Sequence, residues 1–149
     1  MVFRTSDVRE IAAPADVVWD VVTDFAAYRE WNPFQTECSA ELTPGAPIRM
    51  RVALGPGAPK PQTEYIDEVD VDGRWFTYRM KPAPGRLLHS VRRQHVVDLG
   101  GGRSRYESDF RIAGPLAGLV DALLGRTLTA RFAAVADALA ARAQARDVG

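Results

Sequence analysis

A long apolar stripe near the C-terminus constrains the fold of this chain more than any other feature. From Pro115 onward, apolar residues recur at helical spacing over roughly eight turns of about 3.6 residues each. The stripe consists of Leu116, Leu119, Val120, Leu123, Leu124, Leu128, Phe132, Val135, Ala136 and Leu139. Only strand signals lie between this helix and the N-terminal region, so a sheet is the one element large enough to cover the stripe. The sequence therefore predicts an antiparallel sheet that curls around one long C-terminal helix.

Two short helices are predicted near the N-terminus, after a first strand over Phe3–Ala12. Within the segment Ala13–Phe34, Pro14 occupies a first-turn position, where its missing N–H is not needed. The apolar positions at helical spacing are Val17, Val18, Val21 and Val22 in the first helix and Phe25, Tyr28 and Trp31 in the second. The second helix ends at Asn32 because a residue before proline is pushed out of the α region.

Six further strands are predicted between the short helices and the long one. They are Gln35–Leu42, Ile48–Leu54, Thr63–Val71, Trp75–Met80, Leu87–Leu99 and Arg103–Ile112. Segments rich in Gly and Pro at 55–61 and 81–85 are predicted loops, and Asp72-Gly73 is a strong hairpin signal. The expected order is strand, two short helices, six strands and a long helix, in one domain spanning residues 1–149.

Composition excludes several classes of protein. The 149 residues are 46% hydrophobic and 26% charged, which is typical of a globular domain. Lys plus Arg and Asp plus Glu both number 19, so no basic field favours nucleic acid. No apolar window reaches the roughly 18 residues of a membrane span. The N-terminus lacks a secretion-signal pattern and the single Cys38 excludes an internal disulfide, so we predict a cytoplasmic monomer or homodimer.

The order of elements and two sequence runs resemble the START-like SRPBCC superfamily, and within it the polyketide cyclase/dehydrase and lipid-transport branch. The runs are V-W-x-V-x-x-D-F-x-x-Y-x-x-W-N-P-F at residues 18–34 and G-P-L-A at residues 114–117. The resemblance implies an α+β helix-grip fold of about seven strands, in which the curved sheet wraps the long helix and leaves a cavity for a small hydrophobic molecule. The superfamily contains both carriers and aromatase/cyclases, so the resemblance alone does not choose between transport and catalysis.

The predicted strand Leu87–Leu99 carries the most interesting polar cluster. His89, Arg93 and His95 share one face of it, because side chains alternate along a strand. If that face meets the cavity, His95 can move a proton near neutral pH and Arg93 can stabilise an enolate oxygen. In the alternative, the face with Ser90, Arg92 and Gln94 points inward.

Other polar and apolar residues are predicted to meet the ligand. Tyr106 joins His95 and Arg93 as a predicted catalytic residue, since a strand tyrosine can orient a carbonyl. The residues predicted to contact the ligand are Met50, Trp31, Tyr65, Tyr78, His89, Ser108, Phe110, Leu124 and Leu128. Asp67 shares a face with Tyr65, so it is either a buried acid or turned outward by a bulge.

Motifs for nucleotide, zinc and serine-hydrolase chemistry are missing from the sequence, so neither a cofactor nor a metal is predicted. The leading hypothesis is therefore cofactor-independent cyclisation, dehydration or isomerisation of a polycyclic, polyketide-like compound in bacterial secondary metabolism. A non-catalytic carrier or sensor of a lipid-like ligand is the alternative. A START-like protein acting through its surface, linked to a toxin–antitoxin pair or the ribosome, is disfavoured by the balanced charge.

Overall fold

The computed structural model describes residues 1–148 and contains a seven-stranded antiparallel sheet in the order β1-β7-β6-β5-β4-β3-β2. The strands are β1 Val2–Ile11, β2 Gln35–Ser39, β3 Pro47–Val52, β4 Lys60–Asp70, β5 Trp75–Met80, β6 His89–Gly100 and β7 Arg103–Ala113. The α-helices are α1 Ala15–Thr23 and α2 Ala117–Val148, and short 3₁₀-helices span Phe25–Glu30 and Pro84–Arg86. The predicted fold class and order of elements are confirmed, although β4 begins inside the predicted loop 55–61.

The short helices join the two edges of the sheet. α1 and the 3₁₀-helix Phe25–Glu30 connect β1 at one edge to β2 at the other. The α1 side chains Val18, Val21 and Val22 are buried, as their spacing predicts. Phe76 of β5 makes edge-to-face contacts with two aromatic rings of these helices, at centroid distances of 6.0 Å for Trp19 and 5.9 Å for Phe25. The two helices therefore close one end of the space inside the sheet.

The C-terminal helix covers the inner face of the sheet, but its first turns do not bury every predicted leucine. Leu128 and Phe132 are buried, whereas Leu119 and Leu123 are 56% and 71% exposed. The prediction that these two leucines belong to the buried stripe is therefore wrong. Val120 and Leu124 take the inward positions there, and each is half-buried beside an open space between helix and sheet.

Candidate functional site

A cavity of about 200 Å³ lies between the inner face of the sheet and the first half of α2. Its wall consists of Phe34, Gln35, Met50, Val52, Leu54, Gln62, Glu64, Tyr78, Met80, Leu88, Ser90, Phe110, Ile112, Val120, Leu124, Leu128 and Phe132. A cavity of about 150 Å³ holds benzene, whereas sites for drug-sized ligands measure about 300–1,000 Å³. The space therefore suits a compound of one or two rings.

The inner face of β6 is the polar one. Ser90, Arg92, Gln94 and Val96 are buried, and the residues between them are half-exposed. This settles the alternative that the sequence left open, because the even-numbered residues face α2. The polar floor beside the cavity is thus built from β6.

The residues on the opposite face of β6 do not reach the cavity. His95 places Nδ1 3.5 Å from Glu107 Oε1, and the Arg93 guanidinium lies 4.9 Å from the centre of the Trp75 ring. His89 borders a separate depression on the outer face. The structure therefore places His95, Arg93 and His89 outside the cavity, since the sheet itself separates them from it.

Arg92 is 1% exposed and donates to four neutral side chains. Its Nη1 lies 3.0 Å from Gln35 Oε1 and 2.9 Å from the Tyr78 hydroxyl. Its Nη2 lies 3.4 Å from the Tyr106 hydroxyl, and Nε and Nη2 are each 3.4 Å from Ser108 Oγ. We call Arg92 with these four acceptors the arginine cluster. No carboxylate within residues 1–148 forms a salt bridge with this guanidinium.

Two further contacts hold the buried charge in place. The Arg92 guanidinium lies 4.6 Å from the centre of the Phe132 ring on α2, a cation–π contact. The Tyr106 hydroxyl, which accepts from Arg92, donates to Gln94 Oε1 at 2.6 Å. Burial alone would lower the pKa of Arg92, but its contacts with Tyr78 and Tyr106 outweigh burial and raise that pKa. The guanidinium therefore stays charged behind the cavity wall.

Tyr78 connects the arginine cluster to the cavity. It is 4% exposed and belongs to the cavity wall, while Arg92 lies behind it. Burial raises the pKa of Tyr78 to about 12, and the nearby Arg92 only partly opposes that effect. The phenol consequently keeps its proton at neutral pH.

Glu64 brings a carboxyl group into the cavity wall. It is 6% exposed, and Gln62 Nε2 donates a hydrogen bond of 2.6 Å to its Oε2. Burial raises the pKa of Glu64, against the opposing effects of Gln62 and Arg92. Glu64 pairs with Met80 and Ile66 with Tyr78, so Glu64 and Tyr78 are diagonal neighbours on one face, about 7–8 Å apart at the backbone.

Tyr65, Asp67 and Trp31 lie away from the cavity, and for Asp67 this is the outward-facing alternative that the sequence left open. Tyr65 is 40% exposed, and Asp67 forms a 2.6 Å ion pair with Arg79 on the outer face. A bulge between Ile66 and Val69 reverses the faces along β4, so the alternation that places Val69 against the core does not extend back to Tyr65. Trp31 packs on Tyr28 with ring centres 5.1 Å apart and lies outside the cavity.

Of the remaining predicted residues, five line the cavity and two lie behind it. The cavity residues are Met50, Tyr78, Phe110, Leu124 and Leu128. Tyr106 and Ser108 are buried and hold Arg92 instead of facing the cavity. Sequence reasoning missed Glu64 and Gln35, and it named Arg92 only as part of the alternative face of β6.

The part of the chain that the structure describes contains neither a membrane-spanning helix nor a group of metal ligands. No helix there is long and apolar enough to cross a membrane. Within residues 1–148, no three His, Cys, Asp or Glu side chains group as metal ligands would.

Comparisons with known proteins agree with this architecture. A sequence profile of the family described as polyketide cyclase/dehydrase and lipid transport matches residues 2–144. This confirms the resemblance predicted from the sequence. A comparison with curated protein sequences found no match.

Solved structures share the fold at low sequence identity. The Zhui aromatase/cyclase from Streptomyces sp. R1128 aligns with a TM-score of 0.79 and 20% identity, over 98% of this chain and 96% of that chain. A norcoclaurine synthase point mutant from Thalictrum flavum gives a TM-score of 0.73 and 19% identity, over 98% and 96%. A START superfamily protein from Mycobacterium smegmatis gives 0.69 and 22%, over 95% and 97%. These identities support a common fold and nothing finer.

Proposed function

Because the chain belongs to the polyketide cyclase/dehydrase and lipid transport family, we propose that its cavity binds a polyketide-like carbonyl compound of one or two rings. We propose that the protein catalyses cofactor-independent cyclisation, dehydration or isomerisation of that compound, as part of secondary metabolism. The observation that carries the proposal is the pairing of a buried carboxyl, Glu64, with Tyr78 on the neighbouring strand of one cavity wall, where Tyr78 accepts a hydrogen bond from the Arg92 guanidinium behind it.

Glu64 is the general base of the proposed mechanism. Its carboxylate takes a proton from the carbon next to the substrate carbonyl, and the electron pair of that C–H bond moves into the carbonyl to form an enolate. Burial raises the pKa of Glu64, and a general base is most effective when its pKa lies near the working pH. The protonated Glu64 then returns its proton to a different atom, which completes an isomerisation.

The arginine cluster stabilises the negative charge that forms on the substrate oxygen. Its donors and the Arg92 charge are already oriented in a site that excludes water, so little reorganisation is needed during the reaction. For cyclisation, the enolate carbon attacks a second carbonyl of the same chain, and the small apolar cavity holds the two carbons together. The new C–C bond places the carbonyl electron pair on oxygen, and the protonated Glu64 gives its proton to that alkoxide to form an alcohol. Loss of water from the resulting alcohol gives the dehydrated ring.

Proton exchange in D₂O tests this function without knowledge of the natural substrate. Acetophenone has one ring and one carbonyl, and its methyl protons exchange only after enolisation. We expect the protein to accelerate this exchange, measured by NMR, and Glu64→Gln to slow it by about 10²–10⁴-fold, the usual contribution of a general base.

Glu68→Gln is the matched control, because Glu68 is an exposed acid on the same strand. We expect it to exchange acetophenone at the wild-type rate. Binding of acetophenone with no exchange above the buffer rate would contradict the catalytic proposal and favour a carrier. The cavity volume favours the enzyme, since about 200 Å³ is small for a lipid chain.

A further inference from the structure

The hydrogen bonds of Tyr78 point to the kind of ligand that the cavity selects. We propose that the cavity preferentially takes ligands with an ionised oxygen, a phenolate or enolate, and that the Tyr78 hydroxyl donates its hydrogen bond to that oxygen. The inference rests on the proposed function in only one respect, which is that this cavity is the ligand site.

The Tyr78 oxygen already accepts two hydrogen bonds. One comes from Arg92 Nη1 at 2.9 Å and the other from Gln35 Nε2 at 3.2 Å. A phenolic oxygen has two acceptor positions and one O–H to donate, so only the donor remains. Among residues 1–148 no side chain or carbonyl oxygen accepts that O–H. Since Tyr78 and Gln35 both line the cavity, the unused donor is left for a ligand.

Tyr106, in the same cluster, has a hydroxyl that both accepts and donates a hydrogen bond within the protein. Its hydroxyl accepts from Arg92 Nη2 at 3.4 Å and donates to Gln94 Oε1 at 2.6 Å. It has no place in the cavity wall. The two tyrosines contact the same guanidinium, and they differ in that only Tyr78 lacks an acceptor.

The charge of the cluster favours an anion over a neutral acceptor. Arg92 is buried among neutral oxygens, and a buried cation with no anionic partner is costly. A ligand oxygen at the Tyr78 hydroxyl lies one hydrogen bond from the guanidinium and supplies the missing negative charge. Ionisation breaks the O–H bond of the ligand, and the proton forms a new O–H bond on the Glu64 carboxylate or on water.

The titratable groups around this position are compatible with an anion near neutral pH. They are Arg92, Glu64, Tyr28, Tyr106 and Cys38, and Asp7 also interacts electrostatically with Arg92. Burial raises the pKa of both tyrosines and raises that of Cys38 to about 12, so these groups are neutral. Burial also raises the pKa of Glu64, which favours the neutral acid beside a bound anion.

4-Nitrophenol is a direct probe, because its anion absorbs visible light and its neutral form does not. We would titrate the protein into 4-nitrophenol in a buffer acidic enough to keep the free compound mostly neutral. We expect the phenolate band to appear on binding, with the apparent pKa of the bound nitrophenol lowered by at least one unit. Tyr78→Phe should abolish this shift, because it removes the donor but keeps the ring.

Tyr65→Phe is the matched control, since Tyr65 is exposed on the outer face, and it should retain the full phenolate band. Arg92→Gln should also lose the band, and circular dichroism and melting curves establish that each variant is folded. Wild-type protein that binds 4-nitrophenol in its neutral form, or that does not bind it at millimolar concentration, would overturn the inference. A phenolate band that persists in folded Tyr78→Phe would overturn it as well.

Glu64→Gln separates this inference from the proposed function. The variant should lose acetophenone exchange but keep the phenolate band, because the substitution removes the base and leaves the Tyr78 donor in place. Phenolate binding by a wild-type protein that exchanges no protons would refute catalysis and support the inference. A wild-type protein that exchanges acetophenone protons but binds nitrophenol only in its neutral form would support catalysis and refute the inference.

Discussion

At the scale of single residues, the buried carboxyl of Glu64 makes a prediction about stability and pH. Its pKa is raised in the folded state from the ordinary value of 4.5. The folded protein therefore binds more protons than the unfolded chain as the pH rises above about 4.5, and folding stability falls with pH over that range. Glu64→Gln has no such titration, so its free energy of unfolding relative to wild type should increase as the pH rises above about 4.5, until the folded-state carboxyl has ionised.

Urea unfolding at several pH values measures this difference between Glu64→Gln and the wild type. Glu68→Gln is the matched control, because Glu68 is an exposed acid on the same strand. A Glu64→Gln difference that stays constant or shrinks as the pH rises would show that the carboxyl is not held in a raised-pKa environment.

At the scale of secondary-structure elements, the sequence was sufficient for the strands and helices but not for every strand face. On β7 the alternation correctly placed Tyr106, Ser108 and Phe110 inside. On β6 the first ladder pair after the turn is Gly100 with Arg103, and counting back from it in steps of one would place His95 opposite Ser108. A bulge between Asp98 and Gly100 shifts the count by one, so Gln94 faces Ser108 instead.

The bulges explain why the fold was predictable and the polar site was not. Hydrophobic periodicity identifies an element even when one residue is added to a strand, but that residue exchanges the inner and outer faces beyond it. Glu64 and Arg92 each lie on a strand with such a bulge, and both are charged residues on an inner face. The sequence alone does not predict that Glu64 and Arg92 are buried, since charged residues are almost never fully buried unless paired.

Gly114, just before α2, makes the prediction that belongs to the element scale. Its φ is +117°, and an added Cβ would lie 2.5 Å from the backbone oxygen of Leu87. Leu87 precedes Leu88 of the cavity wall and accepts a hydrogen bond from the Leu116 N–H at 3.1 Å. Gly114→Ala should therefore destabilise the protein and disturb the start of α2.

Gly45→Ala provides the comparison for Gly114→Ala. Gly45 also has a positive φ, +87°, but an added Cβ there meets nothing within 4 Å. The free energy of unfolding of Gly45→Ala should fall only by the cost of a left-handed conformation, about 1–2 kcal/mol. That of Gly114→Ala should fall by more, as measured by urea unfolding. Equal losses would mean that the contact with Leu87 contributes nothing.

At the scale of the whole molecule, the open space between α2 and the sheet is the property on which the proposed function depends. The helix packs closely at Val135 and Leu139, both buried and outside the cavity wall, and is separated from the sheet near Val120 and Leu124. A domain interior is normally packed without such gaps. The gap is kept open although filling it with apolar side chains would stabilise the fold, which is expected where a ligand must enter.

Filling the gap should therefore remove binding without removing the fold. Val120→Trp places a large ring into the cavity from α2, and we expect acetophenone affinity to fall by at least about tenfold, a loss of about 1.4 kcal/mol. Leu119→Trp is the control, because Leu119 is the adjacent residue and is 56% exposed. Calorimetric titration measures the affinities, and melting curves should remain within a few degrees of wild type for both variants. If Val120→Trp binds acetophenone as well as Leu119→Trp does, the ligand does not occupy the space beneath α2, and the catalytic assignment of Glu64 fails with it.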